Sequence, residues 1–170
     1  MDIQRICVLG NTASGKSMLS GQLAARLNLP VAHLDQFYWR PGWTHVSPAE
    51  FVASQRALLA QDAWIIDGTF SEFGLTARFR AADAVIFLDV GAGTCLRRAI
   101  ARRGDGREDV PADDERLGPI RSLRFLAAIA SFGMVDRPRI LRAARRTSVR
   151  FVRLTSWDDE TAALDALEAA

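Results

Sequence analysis

Short apolar runs alternate along the chain with longer segments whose apolar residues recur at helical spacing. The runs are rich in valine, isoleucine and leucine, and they predict buried strands at residues 5–10, 31–35, 63–67, 84–89 and 149–154. The periodic segments predict helices at residues 16–29, 48–61, 94–103, 119–131, 136–146 and 158–169. Because strands that alternate with helices form a parallel sheet covered on both faces, the pattern predicts a three-layer α/β fold.

Local signals mark the ends of two of these helices. Leu19, Leu23 and Leu27 form one apolar stripe, and Pro30 ends the helix that carries it. The stretch Ser-Pro-Ala-Glu at residues 47–50 is typical of a helix N-terminus, with a serine cap, proline at the first helical position and glutamate at the third. The chain therefore encodes helix boundaries as well as helical periodicity.

The composition is that of a globular protein. The chain has 170 residues, of which 49% are hydrophobic and 25% charged, and this predicts one domain over residues 1–170. The longest apolar stretch, residues 125–135, is too short to span a bilayer. No basic-then-apolar signal pattern opens the chain, so we expect a cytoplasmic protein without membrane contact. Cys7 and Cys95 are expected to be small buried hydrophobic residues.

Positive charge is concentrated late in the chain, although the net charge is only +2. Residues 116–153 contain ten arginines and one acid, Asp136. Three interpretations fit this stretch: a nucleic-acid contact surface, arginines gathered around a polyphosphate, or a solvated helical face. The sequence alone leaves all three open.

The sequence GNTASGKS at residues 10–17 fits the pattern G-x-x-x-x-G-K-[ST] and lies between a predicted strand and a predicted helix. Its glycines let backbone N–H groups point inward as an anion-binding nest, and the following helix adds the positive end of its dipole. In such a loop Lys16 binds the β- and γ-phosphates of a nucleotide, and the Ser17 hydroxyl is a ligand of Mg²⁺. The predicted ATP-binding residues are Gly10, Asn11, Thr12, Ala13, Ser14, Gly15, Lys16, Ser17 and Met18.

Lys16 is the only lysine among 22 basic residues. A lysine ammonium is a compact point charge, whereas a guanidinium is a broad planar fork. We infer that position 16 needs the slimmer group, as expected of a cation lying along a phosphate-binding loop. The same count excludes Ras-like GTPases, which need a lysine in an N-K-x-D motif, and protein kinases, which need one on their third strand.

Two acidic residues end predicted strands and are candidates for holding a metal ion or its water: Asp67 and Asp89. Asp67 is followed by Gly68, which lets the chain turn away close to the phosphates. We therefore expect Asp67 and Ser17 to form the Mg²⁺ site, and Asp89 to position the loop that follows it.

Five stretches together resemble one family: GNTASGKS, HLDQFYWRPGW, WIIDGTF, AADAVIFLD and CLRRAIARR. They are similar to the adenylate-kinase-like P-loop proteins known as DNA topology modulation proteins, which are related to nucleoside monophosphate kinases and to shikimate and gluconate kinases. The resemblance extends from residue 3 to about residue 167. It implies a P-loop NTPase fold with a five-stranded parallel sheet of order 2-3-1-4-5, and ATP and Mg²⁺ as cofactors. It also implies an acceptor-binding segment at about residues 36–62 and a short arginine-rich lid at about residues 102–118.

The stretch WIIDG is similar to the adenylate-kinase strand that ends in Asp-Gly-Phe-Pro-Arg, and this implies that Asp67 holds the water of the metal. After Gly68 the chain continues Thr-Phe-Ser and has no Pro-Arg pair. The arginine that grips a nucleotide's α-phosphate in those kinases is therefore missing, which argues against AMP as the acceptor. Arg78 and Arg40 are the alternatives for contacting an acceptor phosphate.

The stretch CLRRAIARR matches the helix that leads into the lid in this family. Arg98 and Arg102 are four residues apart and share one helix face. The resemblance implies that one stacks near the ATP base and the other contacts the phosphates, where a guanidinium stabilises the transferring group. The alternative is a solvated cationic helix end. Beyond the lid, Arg116, Arg121 and Arg124 are candidates for a further phosphate contact.

Asp35 follows the second predicted strand, in the stretch HLD at the edge of the expected acceptor pocket. In sugar- and shikimate-type kinases an aspartate at a similar position holds the acceptor hydroxyl and can take its proton. The resemblance thus implies a catalytic base for a hydroxyl acceptor, or a residue that orients a ribose or an arginine for a phosphate acceptor. The alternative is a helix cap or a surface acid. The nearby aromatic residues either stack on a flat acceptor or close the core, and His33 is expected to be structural. The expected substrate-binding residues are Asp35, Trp39, Arg40, Asp67 and Arg78.

These motifs predict an ATP-dependent phosphotransferase that moves the γ-phosphoryl group of ATP–Mg²⁺ to a small acceptor, such as a nucleoside, a nucleotide or a related metabolite. The predicted catalytic residues are Lys16, Asp35, Arg98 and Arg102. The alternative is an ATP-binding regulatory or DNA-associated protein with little kinase activity, which would use the basic stretch 116–153 as its contact surface. The sequence identifies neither the acceptor nor the oligomeric state.

Overall fold

The computed structural model describes residues 3–41, 44–101, 119–155 and 160–169. The predicted lid at residues 102–118, which includes Arg102, lies outside the described residues, and so does Trp43. In chain order the described elements are β1 (Arg5–Gly10), α1 (Lys16–Leu27), β2 (Val31–His33), α2 (Leu34–Tyr38), β3 (Trp39–Arg40), β4 (Thr44–His45), α3 (Pro48–Leu59), β5 (Trp64–Asp67), α4 (Leu75–Ala81), β6 (Ala84–Leu88), α5 (Ala92–Ala101), α6 (Pro119–Ser131), α7 (Asp136–Arg145), β7 (Arg150–Leu154) and α8 (Glu160–Ala169).

The described residues contain a parallel sheet of five strands in the spatial order β2-β5-β1-β6-β7. Numbered along the chain within this sheet, the order is 2-3-1-4-5, so the predicted α/β fold is confirmed. The central strand β1 places Val8 beside Asp67 of β5, and Gly10 beside Leu88 of β6. This register brings the carboxyl ends of β1, β5 and β6 to one edge of the sheet.

Side chains of β1 alternate between two hydrophobic cores, one on each face of the sheet. Ile6 and Val8 pack in the core that α1, α5 and α8 cover. Cys7 and Leu9 pack in the core that α3, α4 and α7 cover. Because the central strands are buried on both faces, they read as almost continuous apolar runs in the sequence.

The second strand is shorter than predicted. It ends at His33, and Leu34–Tyr38 form the short helix α2. Leu34 is fully buried and packs so closely on Gly68 that a Cβ on Gly68 would lie 2.8 Å from the Leu34 Cβ. Asp35 therefore lies in the first turn of a helix and not at the end of a strand, in a position where the helix dipole favours an acidic side chain.

The start of α3 follows the prediction, since the Glu50 N–H donates to the Ser47 hydroxyl at 3.2 Å. The sequence pattern does not predict α4 or the antiparallel hairpin of β3 and β4. Helix α4 has only seven residues, and its buried face includes Arg78 beside Leu75 and Phe79, so its apolar periodicity is weak. Of the helices in the described residues, none combines the length and the apolar character needed to cross a membrane.

Candidate active site at the carboxyl edge of the sheet

The loop that joins β1 to α1 wraps tightly on itself. Gly15 has φ 101°, in the left-handed region that favours glycine, and Ala13 also has a positive φ of 61°. Gly10 permits a close approach, because a Cβ there would lie 2.7 Å from the Ser14 Oγ and 2.9 Å from the Leu88 carbonyl oxygen. The positive φ of Ala13 is unusual for a non-glycine residue, and backbone strain of this kind is a feature of functional loops.

Hydrogen bonds from three distant segments hold this loop in place. The buried Asn11 donates from Nδ2 to the Ile129 carbonyl at 2.9 Å, which ties the loop to α6. Thr69 accepts from the Gly10 N–H at 3.0 Å and donates to the Gly10 carbonyl at 2.6 Å. Arg98 donates from Nη1 to the Ser14 carbonyl at 3.1 Å. The loop is thus supported before any ligand binds, and Arg98 stands beside it.

Lys16 begins α1 with only 9% of its surface exposed. Within the described part of the chain its ammonium forms no hydrogen bond and no ion pair. The ammonium has no protein counter-charge there, and an anion in the loop would supply one. Ser17, next in the helix, is half-buried, and Met18 is exposed.

Asp67 ends β5 beside the loop and has two different carboxylate oxygens. Oδ2 lies 2.9 Å from Nδ1 of His33, its register partner on β2. Oδ1 is buried and has no hydrogen-bond partner among the described residues, and the whole residue is 3% exposed. A buried carboxylate oxygen of this kind needs a donor or a cation.

Asp89, the other strand-end acid, is fully engaged. Both of its oxygens lie 3.0 Å from the Arg137 Nε, and Oδ2 also accepts from Arg153 at 2.6 Å. These contacts join the end of β6 to α7 and β7. They leave Asp67 as the strand-end carboxylate with an oxygen available to a ligand.

The loop after β5 is organised by a buried arginine. Arg78 has no exposed surface, and its guanidinium donates to the carbonyl oxygens of Gly68 and Thr69 at 2.5 Å each. The same group reaches the carbonyls of Phe70 and Phe73 at 3.2 and 3.4 Å. Burial lowers the pKa of Arg78 to about 10, so the group is still cationic at neutral pH.

The two terminal nitrogens of Arg78 donate to backbone carbonyls, Nε has no partner among the described residues, and the residue has no exposed surface. Contact of Arg78 with an acceptor phosphate stays a prediction, and this geometry argues against it. The residue acts on the site indirectly, because the loop that it holds carries Thr69, which binds Gly10. Arg40, the other alternative, is exposed and forms an ion pair with Glu50 at 2.5 Å.

The aromatic residues after β2 mainly pack against each other. The Tyr38 ring lies 5.0 Å from Phe51 and 4.8 Å from Phe70, measured between ring centroids, and it stacks on His45 at 5.3 Å. Trp39 meets the Tyr38 ring edge-on at 4.9 Å and is half-buried. The cluster closes the second core, while Trp39 keeps part of its surface at the hairpin. Asp35, half-buried, precedes this cluster in α2.

The structure thus brings together much of the predicted site: the loop from Gly10 to Met18, Asp67 and Arg98. Arg40 and Arg78 make other contacts, and Arg102 lies outside the described residues. Sequence reasoning missed the contact of His33 with Asp67, since His33 was expected to be only structural. The available signal was its position at the end of a strand that is next to β5 in the predicted order.

No model of a known protein family and no curated protein sequence matches this chain. Solved kinase structures share its fold. Shikimate kinase from Acinetobacter baumannii in complex with shikimate matches with a TM-score of 0.61 at 13% identity, over 99% of this chain and 91% of that chain. Shikimate kinase from Bacteroides thetaiotaomicron matches with a TM-score of 0.60 at 13% identity, over 98% of this chain and 96% of that chain. A gluconokinase from Sinorhizobium meliloti matches with a TM-score of 0.58 at 15% identity, over 98% of this chain and 90% of that chain. The chain therefore has the fold of these P-loop kinases.

Proposed function

We propose that this protein is a small-molecule kinase that transfers the γ-phosphoryl group of ATP to a hydroxyl group of a small acceptor. The observation that carries the proposal is that one edge of the sheet holds a lysine ammonium without a protein partner and a buried carboxylate oxygen without one. The Lys16 ammonium and the Asp67 Oδ1 have no hydrogen-bond partner in the described part of the chain. A nucleotide phosphate and a hydrated cation are the ligands that would satisfy both.

The donor side consists of the loop at residues 10–17 and the residues that support it. Backbone N–H groups of the loop and the N-terminus of α1 would hold the phosphates, and Lys16 would contact the β- and γ-phosphates. Arg98, which contacts the Ser14 carbonyl, stands close enough to add charge to the transferring group. Arg102, in the segment proposed as the lid, would supply a second cation.

The residues present fit Mg²⁺. This ion prefers oxygen ligands and usually keeps several waters beside one or two carboxylates and the substrate phosphates. The Ser17 hydroxyl would bind it directly, and the Asp67 Oδ1 would accept from one of its waters. When bound, the ion neutralises charge on the β- and γ-phosphate oxygens. His33 would fix the orientation of the Asp67 carboxylate through its contact with Oδ2.

The acceptor is proposed to be a hydroxyl compound because the protein's own arginines argue against a phosphate acceptor. Arg78 is committed to the loop after β5, and Arg40 is paired with Glu50 on the surface. Shikimate and gluconate, the compounds in the names of the similar kinases, are hydroxylated carboxylic acids, which supports the same acceptor class. Asp35 is the proposed base, and the Trp39 surface is the proposed wall of the acceptor pocket.

The proposed step moves one phosphoryl group and one proton. The acceptor oxygen forms a bond to the γ-phosphorus while the bond from that phosphorus to the β–γ bridging oxygen breaks. Asp35 takes the acceptor's hydroxyl proton, and ADP leaves with the electron pair of the broken bond. The described part of the chain contributes position and charge to this step, and no covalent intermediate on the protein is involved.

The motif resemblance favours membership of the group known as DNA topology modulation proteins, acting in the cytoplasm as small-molecule kinases. One domain over residues 1–170 would combine the acceptor segment at about residues 36–62 with the lid at about residues 102–118.

An acceptor screen tests this function. ADP release from ATP–Mg²⁺ is measured with panels of sugar acids, polyols, nucleosides and nucleoside monophosphates. We expect a hydroxyl acceptor to raise the rate well above basal hydrolysis, and Asp35→Asn to lower that acceptor-dependent rate by about 10²–10⁴-fold. Asp62→Asn, which changes an exposed carboxylate just before β5, is the matched control and should leave the rate unchanged. Stimulation by nucleoside monophosphates alone would contradict the proposed acceptor class.

A further inference from the structure

A cleft of about 650 Å³ lies between α4 and α7, on the face of the sheet that carries the second core. Its walls come from the end of the loop after β5, from α4 and from α7. Neither Asp35 nor Asp67 lines it, and no residue of the loop at 10–17 does. The cleft is therefore separate from the candidate active site, and the proposed kinase reaction does not use it.

The cleft is strongly basic. Four arginines line it together with one acid, Glu72: Arg80, Arg139, Arg142 and Arg146. Arg139 contacts Glu72 at 2.9 Å, in an ion pair whose side chains are 40% and 61% exposed. Within the residues that the structure describes, the side chains of the other three arginines form no hydrogen bond or ion pair. By contrast, the nearby Arg137 and Arg153 both bind Asp89.

The positions of these arginines on α7 follow from its packing. Ile140 and Ala143 are buried against the sheet, and this fixes which side of the helix faces α4. Arg139, Arg142 and Arg146 are then spaced by three and four residues on the cleft side, over roughly 10 Å of helix axis. Across the cleft, α4 presents Arg80 beside the small residues Thr76 and Ala77, which leave the space between the helices open.

This arrangement points to a phosphate ligand. Guanidinium groups match phosphate oxygens in a bidentate geometry and form hydrogen bonds about twice as strong as neutral ones. The cleft volume lies in the usual range for small-molecule sites, about 300–1,000 Å³. Among the described residues that line it there is no aromatic ring, so it lacks the stacking surface of single-stranded nucleic-acid sites.

We propose that the cleft between α4 and α7 is a second anion site, which binds a small molecule carrying several phosphate groups. The phosphates would be contacted by Arg80, Arg142 and Arg146. Arg139 would leave its ion pair with Glu72 and contact them as well. The Ser71 hydroxyl, which donates to Asp136 at 2.5 Å, lies at the end of the cleft that continues into the loop holding Gly10.

Calorimetric titration with inorganic tripolyphosphate tests this site. The full chain is used with Lys16→Ala, so that binding at the loop of residues 10–17 is weakened. We expect one tripolyphosphate to bind, and the added pair Arg142→Gln and Arg146→Gln to weaken binding by about tenfold or more. The matched control pair, Arg56→Gln and Arg145→Gln, removes the same charge from exposed arginines that do not line the cleft. It should change the affinity for tripolyphosphate by less than about twofold, because salt screens the long-range effect of exposed charges away from the cleft.

Three results would overturn the proposal. The first is no binding of tripolyphosphate to the Lys16→Ala chain. The second is an equal loss of affinity in both double variants, which would mean attraction to net charge without a site. The third is tighter binding of a DNA duplex or single strand than of tripolyphosphate, lost in the cleft variant and steeply salt-dependent, which would assign the surface to nucleic acid. Kinase activity enters none of these readouts, so failure of the proposed function would not affect them.

Discussion

Among the described residues, three charged residues are more than nine-tenths buried, and they differ in how their charge is met. The guanidinium of Arg78 donates to backbone carbonyls, and one carboxylate oxygen of Asp67 contacts the His33 ring nitrogen. Lys16 has no hydrogen bond or ion pair within the described residues. A largely buried residue whose ammonium has no protein partner marks a place where an anionic ligand would bind. At the scale of single residues, Lys16 and the Asp67 Oδ1 define the site.

Replacing Lys16 should affect activity far more than stability. Lys16→Met removes the cation proposed to contact the phosphates, so we expect kcat to fall by about 10²–10³-fold. The same change keeps an apolar chain of similar length in the buried position, so the free energy of unfolding of the ligand-free protein should change by less than about 1 kcal/mol. Steady-state kinetics and urea unfolding measure the two effects.

Arg26→Met is the matched control, since Arg26 is an exposed cation on the same helix. It should change neither quantity appreciably. Unchanged turnover in Lys16→Met, with lower stability, would mean that Lys16 is a structural residue.

Among the elements, the loop between β5 and α4 decides the shape of the site. It carries Gly68 with φ 136°, Thr69 bound to Gly10, and Phe70 with an unusual φ of 33°. Arg78 in α4 holds the carbonyls of all three residues. The short helix α4 therefore acts as a clamp that keeps Thr69 against the phosphate-binding loop.

Removing this clamp should destabilise the protein strongly. Arg78→Met leaves several buried carbonyl oxygens without donors, and we expect a loss of about 3 kcal/mol or more in the free energy of unfolding. ATP affinity should fall as well, because Thr69 would no longer be fixed against Gly10. Urea unfolding and nucleotide titration check both effects. Arg80→Met, on the exposed side of the same helix, should cost less than about 0.5 kcal/mol. Equal losses of stability in Arg78→Met and Arg80→Met would contradict the role of α4 as a clamp.

The five strands of the parallel sheet could be predicted from the sequence because their signal is local. Most are short apolar runs, β7 alternates apolar residues with arginines, and the P-loop motif lies at a fixed place between β1 and α1. Helix α4 could not be predicted, since the residue that anchors it is an arginine, which normally indicates a solvated surface. The contact of His33 with Asp67 joins residues 34 apart in the chain, and it depends on β2 lying beside β5. Both features follow from tertiary contacts.

For the whole molecule, the fold sets out a binding edge and a separate basic face. The carboxyl ends of β1 and β5 meet at the loop of residues 10–17, where open α/β sheets bind their ligands. Several of the described arginines in the basic stretch 116–153 have one of two roles. Some join secondary elements through Asp89, and others line the cleft between α4 and α7.

Binding of ATP–Mg²⁺ should stabilise the folded protein as a whole. At about 100 times its Kd, a ligand that binds only the folded state adds about 2.7 kcal/mol. For a chain of this length that corresponds to a rise in Tm of roughly 5–10 °C. Thermal unfolding with ATP–Mg²⁺, and with ATP plus a chelator, measures it.

The chelator should reduce the rise in the unaltered protein, and Asp67→Asn should make the two conditions nearly equal because the metal contribution is lost. A shift that is independent of Mg²⁺ in the unaltered protein would contradict the assignment of Asp67 and Ser17 to the metal.

The central claim is that the chain transfers a phosphoryl group from ATP to a small hydroxyl acceptor, and it is tested most directly by following the γ-phosphate itself. ATP labelled at the γ-phosphorus is incubated with Mg²⁺, the protein and the acceptor that most stimulates ADP release, and the products are separated. We expect the label on an oxygen of the acceptor in a one-to-one ratio with the ADP formed. Label found only in inorganic phosphate, whatever hydroxyl acceptor is supplied, would contradict the claim.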